Sequence, residues 1–113
     1  MKRVEAIIRP ERVAIVSEAL AQAGFPGLNV TNVTGRGMQK GIVHQGRGGV
    51  SVTVDMIPKV KLSVVCKDGD VDKIIDIVVE NARTGSVGDG KIFVVPIEQV
   101  IRVRTGERGE KAV

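Results

Sequence analysis

Tryptophan and tyrosine are absent, and aromatic residues make up 2% of the chain, Phe25 and Phe93 alone. The core must therefore be aliphatic, and stacking on nucleobases is nearly excluded as a binding strategy. The single cysteine, Cys66, permits no internal disulfide and no four-ligand zinc site. Its alternating apolar neighbours mark a buried strand thiol rather than a nucleophile. The single histidine, His44, has no evident partner, and no Ser/His/Asp or Cys/His set with a rigid base can be assembled, so a catalytic role finds little support. No apolar run approaches the roughly 20 residues of a membrane span. The opening residues reach too few apolar positions before Arg9 and Pro10 to form a signal peptide, which leaves a cytoplasmic protein as the expectation. Acidic residues are missing between Ala19 and Val54, where Arg36, Lys40 and Arg47 lie, and the net charge is +4. Such a basic stretch suits phosphates, carboxylates or an acidic protein surface; a solvated basic loop is the plainer alternative.

What is present fits one domain. With 113 residues, 42% hydrophobic and 27% charged, the chain can bury a two-layer core and has the balance of a globular protein. Val4, Ala6 and Ile8 alternate with polar neighbours as a half-buried strand. Pro10 opens a helix whose apolar face carries Val13, Val16, Leu20 and Ala23, with Gly24 as its C-terminal cap and Pro26 blocking continuation. A β-branched run over 28–34 reads as a second strand. The rhythm then repeats. Val60, Leu62, Val64 and Cys66 share one strand face, and Asp68-Gly69-Asp70 forms a turn and helix cap. Val71, Ile74, Ile75, Val78 and Val79 trace a helical stripe, with Asp70, Asp72 and Asp76 placed to complement the helix dipole. Residues 92–95 form a strand that Pro96 ends, and a last short strand is expected over 98–103. Strand-helix-strand twice over predicts an α+β, ferredoxin-like βαββαβ fold. Helices cover one sheet face; the other also reads as apolar, and self-association is its simplest cover.

Between the halves, residues 35–57 carry Gly35, Gly37, Gly41, Gly46, Gly48 and Gly49. The segment is too long for an ordinary connection, which suits a mobile loop that orders around a ligand or partner. Three clusters could carry chemistry. Thr84-Gly85-Ser86-Val87-Gly88-Asp89-Gly90-Lys91 places closely spaced glycines beside a cation. It fits either a phosphate cradle or a turn into the next strand, and it is not a Walker loop. Arg102 and Arg104, two apart on the expected strand, would project together as a phosphate fork or as a charged guard on an edge strand. Gln39 and Lys59 flank the long loop, and Gln39 offers a neutral oxygen to magnesium when phosphates supply the charge.

The runs TGSVGDGKIFV (84–94), RVRTGE (102–107), GMQKG (37–41), PKVK (58–61) and KRVEAIIRP (2–10) together resemble the PII nitrogen-regulatory signal-transduction family, nearly end to end and in order. The resemblance implies a single domain over 1–113, with a T-loop at about 37–55, a B-loop at 84–91 and a C-terminal loop at 102–113. It implies a homotrimer that binds ATP or ADP, and 2-oxoglutarate with Mg²⁺-ATP, between subunits. Gly88, Asp89, Gly90 and Lys91 would wrap the phosphates, with Val87 beside them, and Arg102 and Arg104 would reach the same phosphates from the neighbour. Asn29 and Val65 align with adenine- and ribose-side positions, and Gly37, Met38 and Gln39, at the T-loop base, with further nucleotide-binding positions. Gln39 would help hold Mg²⁺ and, with Lys40, Gly41, Lys59 and Gly88, the 2-oxoglutarate. The T-loop would signal to an ammonium transporter, glutamine synthetase or nitrogenase, without enzymatic chemistry, nucleic acid or membrane insertion.

Two features depart from the family pattern. Met38 stands where an arginine is often found, which removes one charged phosphate contact. The distal loop is unusual and contains no tyrosine to be uridylylated or adenylylated; Ser51 is a possible phosphorylation site or a plain loop serine. A PII-type regulator of nitrogenase or carbon metabolism is the rival within signalling. A ferredoxin-like RNA-binding module shares the fold and the basic charge but needs aromatic pairs that this chain lacks. A small enzyme with slow, incidental ATPase activity is the third alternative.

Overall fold

The alternation of Val4, Ala6 and Ile8 becomes strand β1 (Lys2–Ile8), with those three side chains buried and their neighbours half-buried. The structure, a computed structural model, describes residues 1–36, 42–45, 51–54 and 56–113. A short 3-10 turn at Pro10–Arg12, with proline in its first turn, leads into helix α1 (Val13–Gln22), where Val16 and Leu20 are buried. Gly24 ends the helix at φ +95°, while the Phe25 amide donates to Leu20 O at 2.8 Å. Only glycine adopts that conformation cheaply, so the expected cap forms. Strand β2 (Asn29–Gly35) follows.

Two strands then lie where the sequence suggests only a loop. β3 (Ile42–Gln45), which carries His44, pairs antiparallel with β4 (Ser51–Val54) in a separate two-stranded sheet. β5 (Ile57–Cys66) buries Val60, Leu62, Val64 and Cys66 as the alternation requires. A 3-10 turn at Asp68–Asp70 feeds helix α2 (Val71–Ala82), and β6 (Lys91–Pro96) completes the main sheet.

The four-stranded sheet has the order β2-β5-β1-β6, with every pair antiparallel. This is the ferredoxin-like arrangement. α1 and α2 pack on one face, and Val4, Ala6, Ile8, Val16, Leu20, Leu62, Val64, Ile74 and Val78 form a continuous aliphatic core. Each fully buried Val, Leu or Ile contributes about 1.5–3 kcal/mol relative to exposure. Cys66 lies in the same layer at 2% exposure, and burial pushes its thiol pKa up, in keeping with an inert strand cysteine. Phe25 packs against this core, with the Lys73 ammonium 5.6 Å from its ring centre.

Three expectations need correction. The strand expected over 98–103 does not form; only an isolated bridge joins Ile101 to Arg108. The chain folds back on itself there: Gly106 N donates to Arg102 O at 2.7 Å, and Arg102 N to Glu107 O at 2.9 Å. Gly106 adopts φ +73° in this turn. Asp70 takes the position before α2 but makes no capping hydrogen bond, because the 3-10 turn already holds it at φ −96°, ψ −8°. Asp68 instead receives the N-terminal ammonium at 2.8 Å. Finally, the outer sheet face is mixed rather than apolar. The register that turns Val4 and Ala6 inward turns Arg3 and Glu5 outward, where they pair at 2.7 Å beside Val65, Phe93 and Val95.

Candidate functional site

At the end of the sheet where β5 begins and β6 starts, a cleft of about 370 Å³ opens. β1 contributes Ile7, β2 leads to Gly35 and Arg36, β5 contributes Ile57 and Lys59, and the segment before β6 contributes Val87, Gly88 and Gly90, followed by Lys91 and Phe93. Among the described residues, Arg36, Lys59 and Lys91 bring three cations and no carboxylate lines the cleft. Its field therefore favours an anion.

Residues 84–90 form a tightly tied loop. Gly85, Gly88 and Gly90 have φ of +89°, +101° and +107°. The Asp89 carboxylate accepts four donors: the Thr84 and Gly85 amides at 2.9 Å each, the Thr84 hydroxyl, and Arg9 Nε at 3.1 Å. Those hydrogen bonds, led by the Thr84 hydroxyl, hold the Asp89 carboxyl far below the ordinary carboxylate range, against the opposing effect of burial. Arg9 Nη2 also donates to Val87 O at 2.9 Å. Lys59 Nζ donates to the Gly88 carbonyl. Burial and then the Arg9 charge lower the Lys59 pKa from 10.5, opposed by Glu11 and Asp89.

The structure thus brings together Val87, Gly88, Gly90, Lys91 and Lys59 from the expected set. Asp89 is adjacent, but its oxygens are engaged within the loop rather than turned to a ligand. Gly37, Met38, Gln39, Lys40 and Gly41 lie outside the described residues. Asn29 and Val65 sit at the other end of the sheet. Val65 pairs with Arg3, and Asn29 pairs with Ser63. Asn29 and Val65 share the face turned away from the helices, because the Ser63 opposite Asn29 lies two residues before Val65. Arg102 and Arg104 follow Pro96, which pairs with Lys2, whereas Lys91 pairs with Ile7. About 17 Å of strand separates those two pairs. The Arg102 guanidinium is held by Glu107 Oε1 and Lys111 O, both at 3.1 Å, within the folded-back C-terminal segment. Arg102 and Arg104 do not share a strand face as expected, since neither lies on a strand.

Arg9, which ties β1 to the glycine loop, is not among the residues that the sequence singles out. Its partners lie 78 and 80 residues further along the chain, and nothing in its local pattern marks it. A second cleft of about 360 Å³, lined mainly by aliphatic side chains of α2 and β6, adjoins Gly90 and Lys91 on the helix side. Among the described residues no group of three or more His, Cys, Asp or Glu could hold a metal ion, and no helix is long and apolar enough to cross a membrane.

The model of a family described as "Nitrogen regulatory protein P-II" matches residues 1–107. The nitrogen regulatory protein P-II of Cereibacter sphaeroides is 51% identical over 113 residues, covering all of both chains. Nitrogen regulatory protein P-II 2 of Methanothermobacter thermautotrophicus is 48% identical, covering 100% of this chain and 97% of that one. Among solved structures, Arabidopsis thaliana PII bound to citrate is similar with a TM-score of 0.81 and 46% identity, over 99% of this chain and 91% of that one.

Proposed function

The chain belongs to the nitrogen regulatory P-II family, and from that premise we propose that it is a trimeric sensor that binds ATP or ADP, together with 2-oxoglutarate, in clefts between subunits. The observation that carries this reading is the division of the site residues between the two ends of one sheet. Gly88, Gly90, Lys91 and Lys59 stand at one end; Asn29 and Val65 stand at the other, and Arg102 and Arg104 belong to the segment that leaves the sheet from that other end. One chain cannot close both sets over one small molecule, but two copies placed end to side can. The glycine loop and Lys91 of one copy would then take the phosphates, and Arg102 and Arg104 of the next would add forked donors to the same oxygens.

Lys59 is the group for an acidic effector. Its ammonium already serves a neutral carbonyl, Gly88 O, and a carboxylate is the stronger acceptor. The citrate bound to the Arabidopsis relative supports a small polycarboxylate as ligand in this family. Magnesium would rest on the phosphates and Gln39. The chain itself carries out no chemical step in this reading. Occupancy instead shifts the population of conformations of the loop at about 37–55, and each conformation suits a different partner of nitrogen metabolism, in the cytoplasm.

Titration calorimetry tests this directly. ATP and ADP should each bind, and 2-oxoglutarate should bind only when Mg²⁺-ATP is present. Absence of heat with every adenine nucleotide would reject the reading.

A further inference from the structure

We propose that Glu107 is a positioning residue that holds the Arg102 guanidinium in place for the phosphates bound by a neighbouring copy. The inference rests on the reading that Arg102 reaches such phosphates.

The main chain brings the two residues together. Residues 100–109 fold back as a narrow turn, with Ile101 bridged to Arg108 and Gly109 N donating to Val100 O at 2.9 Å. Inside that turn Arg102 and Glu107 stand opposite each other, the Arg102 amide donating to Glu107 O at 2.9 Å. The Glu107 amide donates to Thr105 Oγ1 at 3.2 Å, which ties the tip. Residues directly opposite in such a pair have side chains close enough to interact. The fold of the turn therefore delivers the carboxylate to the guanidinium.

The guanidinium is held at two points. Its Nη1 donates to Glu107 Oε1 and its Nη2 to Lys111 O, both at 3.1 Å. Lys111 belongs to the 3-10 turn at Gly109–Ala112, so the end of the chain is part of the same support. A guanidinium carries five N–H donors in one plane. Two contacts fix that plane and leave donors for phosphate oxygens. Arg104 gives the contrast: it is exposed, and among the described residues its side chain has no such partner.

The sign of the effect separates positioning from charge. A carboxylate near phosphates repels them, so if Glu107 acted by charge alone its removal would strengthen nucleotide binding. Arg102 and Glu107 are 40% and 41% exposed, so solvent and salt screen that repulsion. Order acts in the opposite direction. A long side chain fixed before the ligand arrives has less rotamer freedom to lose on contact. Loss of Glu107 should therefore weaken binding.

The test titrates ATP and ADP into wild type, Glu107→Ala, Glu107→Gln, Arg102→Ala and the double variant Arg102→Ala/Glu107→Ala, each first shown by thermal melting to be folded. Glu107→Ala should weaken both nucleotides about three- to tenfold, the scale of one side chain left to be ordered on binding. Glu107→Gln keeps an acceptor oxygen and should fall between it and wild type. In the Arg102→Ala background, Glu107→Ala should change nothing further, whereas a merely structural role would give the same loss in both backgrounds. Unchanged or raised affinity in Glu107→Ala, or equal losses in the two backgrounds, would overturn the proposal. Side-chain NMR reads the pair without nucleotide: the Arg102 Nε–H signal should move in Glu107→Ala while that of Arg104 stays. Wild type that binds no nucleotide would sink the functional reading instead, and an Arg102 signal indifferent to Glu107→Ala would sink the pair by itself.

Discussion

Gly90 lies against the Ile7 carbonyl so closely that a Cβ at Gly90 would stand 1.7 Å from that oxygen and 2.8 Å from its carbon. Backbone on both sides leaves nothing flexible to yield, and φ of +107° adds strain for any other residue.

Gly90→Ala should therefore cost about 3 kcal/mol or more and open the β1–β6 pairing at its Lys91 end. Gly85→Ala is the control: at φ +89°, with nothing within 4 Å of its Cβ position, it should cost only about 1–2 kcal/mol. Urea midpoints of the two variants check the difference, and equal values would refute the steric account.

The alternations and the two helical stripes made most of the fold legible, because one buried face leaves one acceptable register for each element. The C-terminal segment misled for a physical reason. Val100, Ile101 and Val103 have strand-forming side chains, but the turn at Gly106 returns the chain before it can join a sheet, and Val103 ends 99% exposed. The pairing of β3 with β4 was hidden by the glycines around it. The glycines and Lys91 of the candidate site were visible as a local motif, whereas the tie of Arg9 to that loop was not, since its partners lie 78 and 80 residues away.

A mixing experiment addresses the sharing of the site between copies. Lys91→Ala and Arg104→Ala should each weaken ATP about 10- to 100-fold, the scale of a lost charged hydrogen bond. Assembling the two variants together by denaturation and refolding should restore a fraction of full-affinity sites, because some clefts then join an intact loop end to an intact arginine end. Calorimetry showing no high-affinity sites in the mixture would contradict a shared cleft.

Acid provides a third test. A carboxyl held below its unfolded pKa of about 3.9 adds stability that is fully present above that value and is lost as pH falls through the lower folded value. Loop amide resonances at Thr84 and Gly85 should therefore hold steady from pH 7 to about 4 and move only well below it. Thr84→Val removes the largest cause of the depression and should bring that change to higher pH; an unmoved profile would argue against the hydroxyl's part.

The core offers a fourth. Leu62 is 1% exposed at the centre of β5. Leu62→Ala should cost about 2–5 kcal/mol through lost transfer energy and a cavity, read as a lower urea midpoint. A loss under about 1 kcal/mol would mean that the site collapses more freely than its packing suggests.

The thiol sealed beneath the sheet has a practical outcome. Since Cys66 is the sole sulfhydryl and sits 2% exposed with its ionisation suppressed, maleimide chemistry on the folded protein would find almost no native target. A cysteine introduced at the open tip of the carboxy-terminal turn, in place of Val103, would carry a fluorescent dye cleanly, in a polypeptide that offers no indole emission of its own.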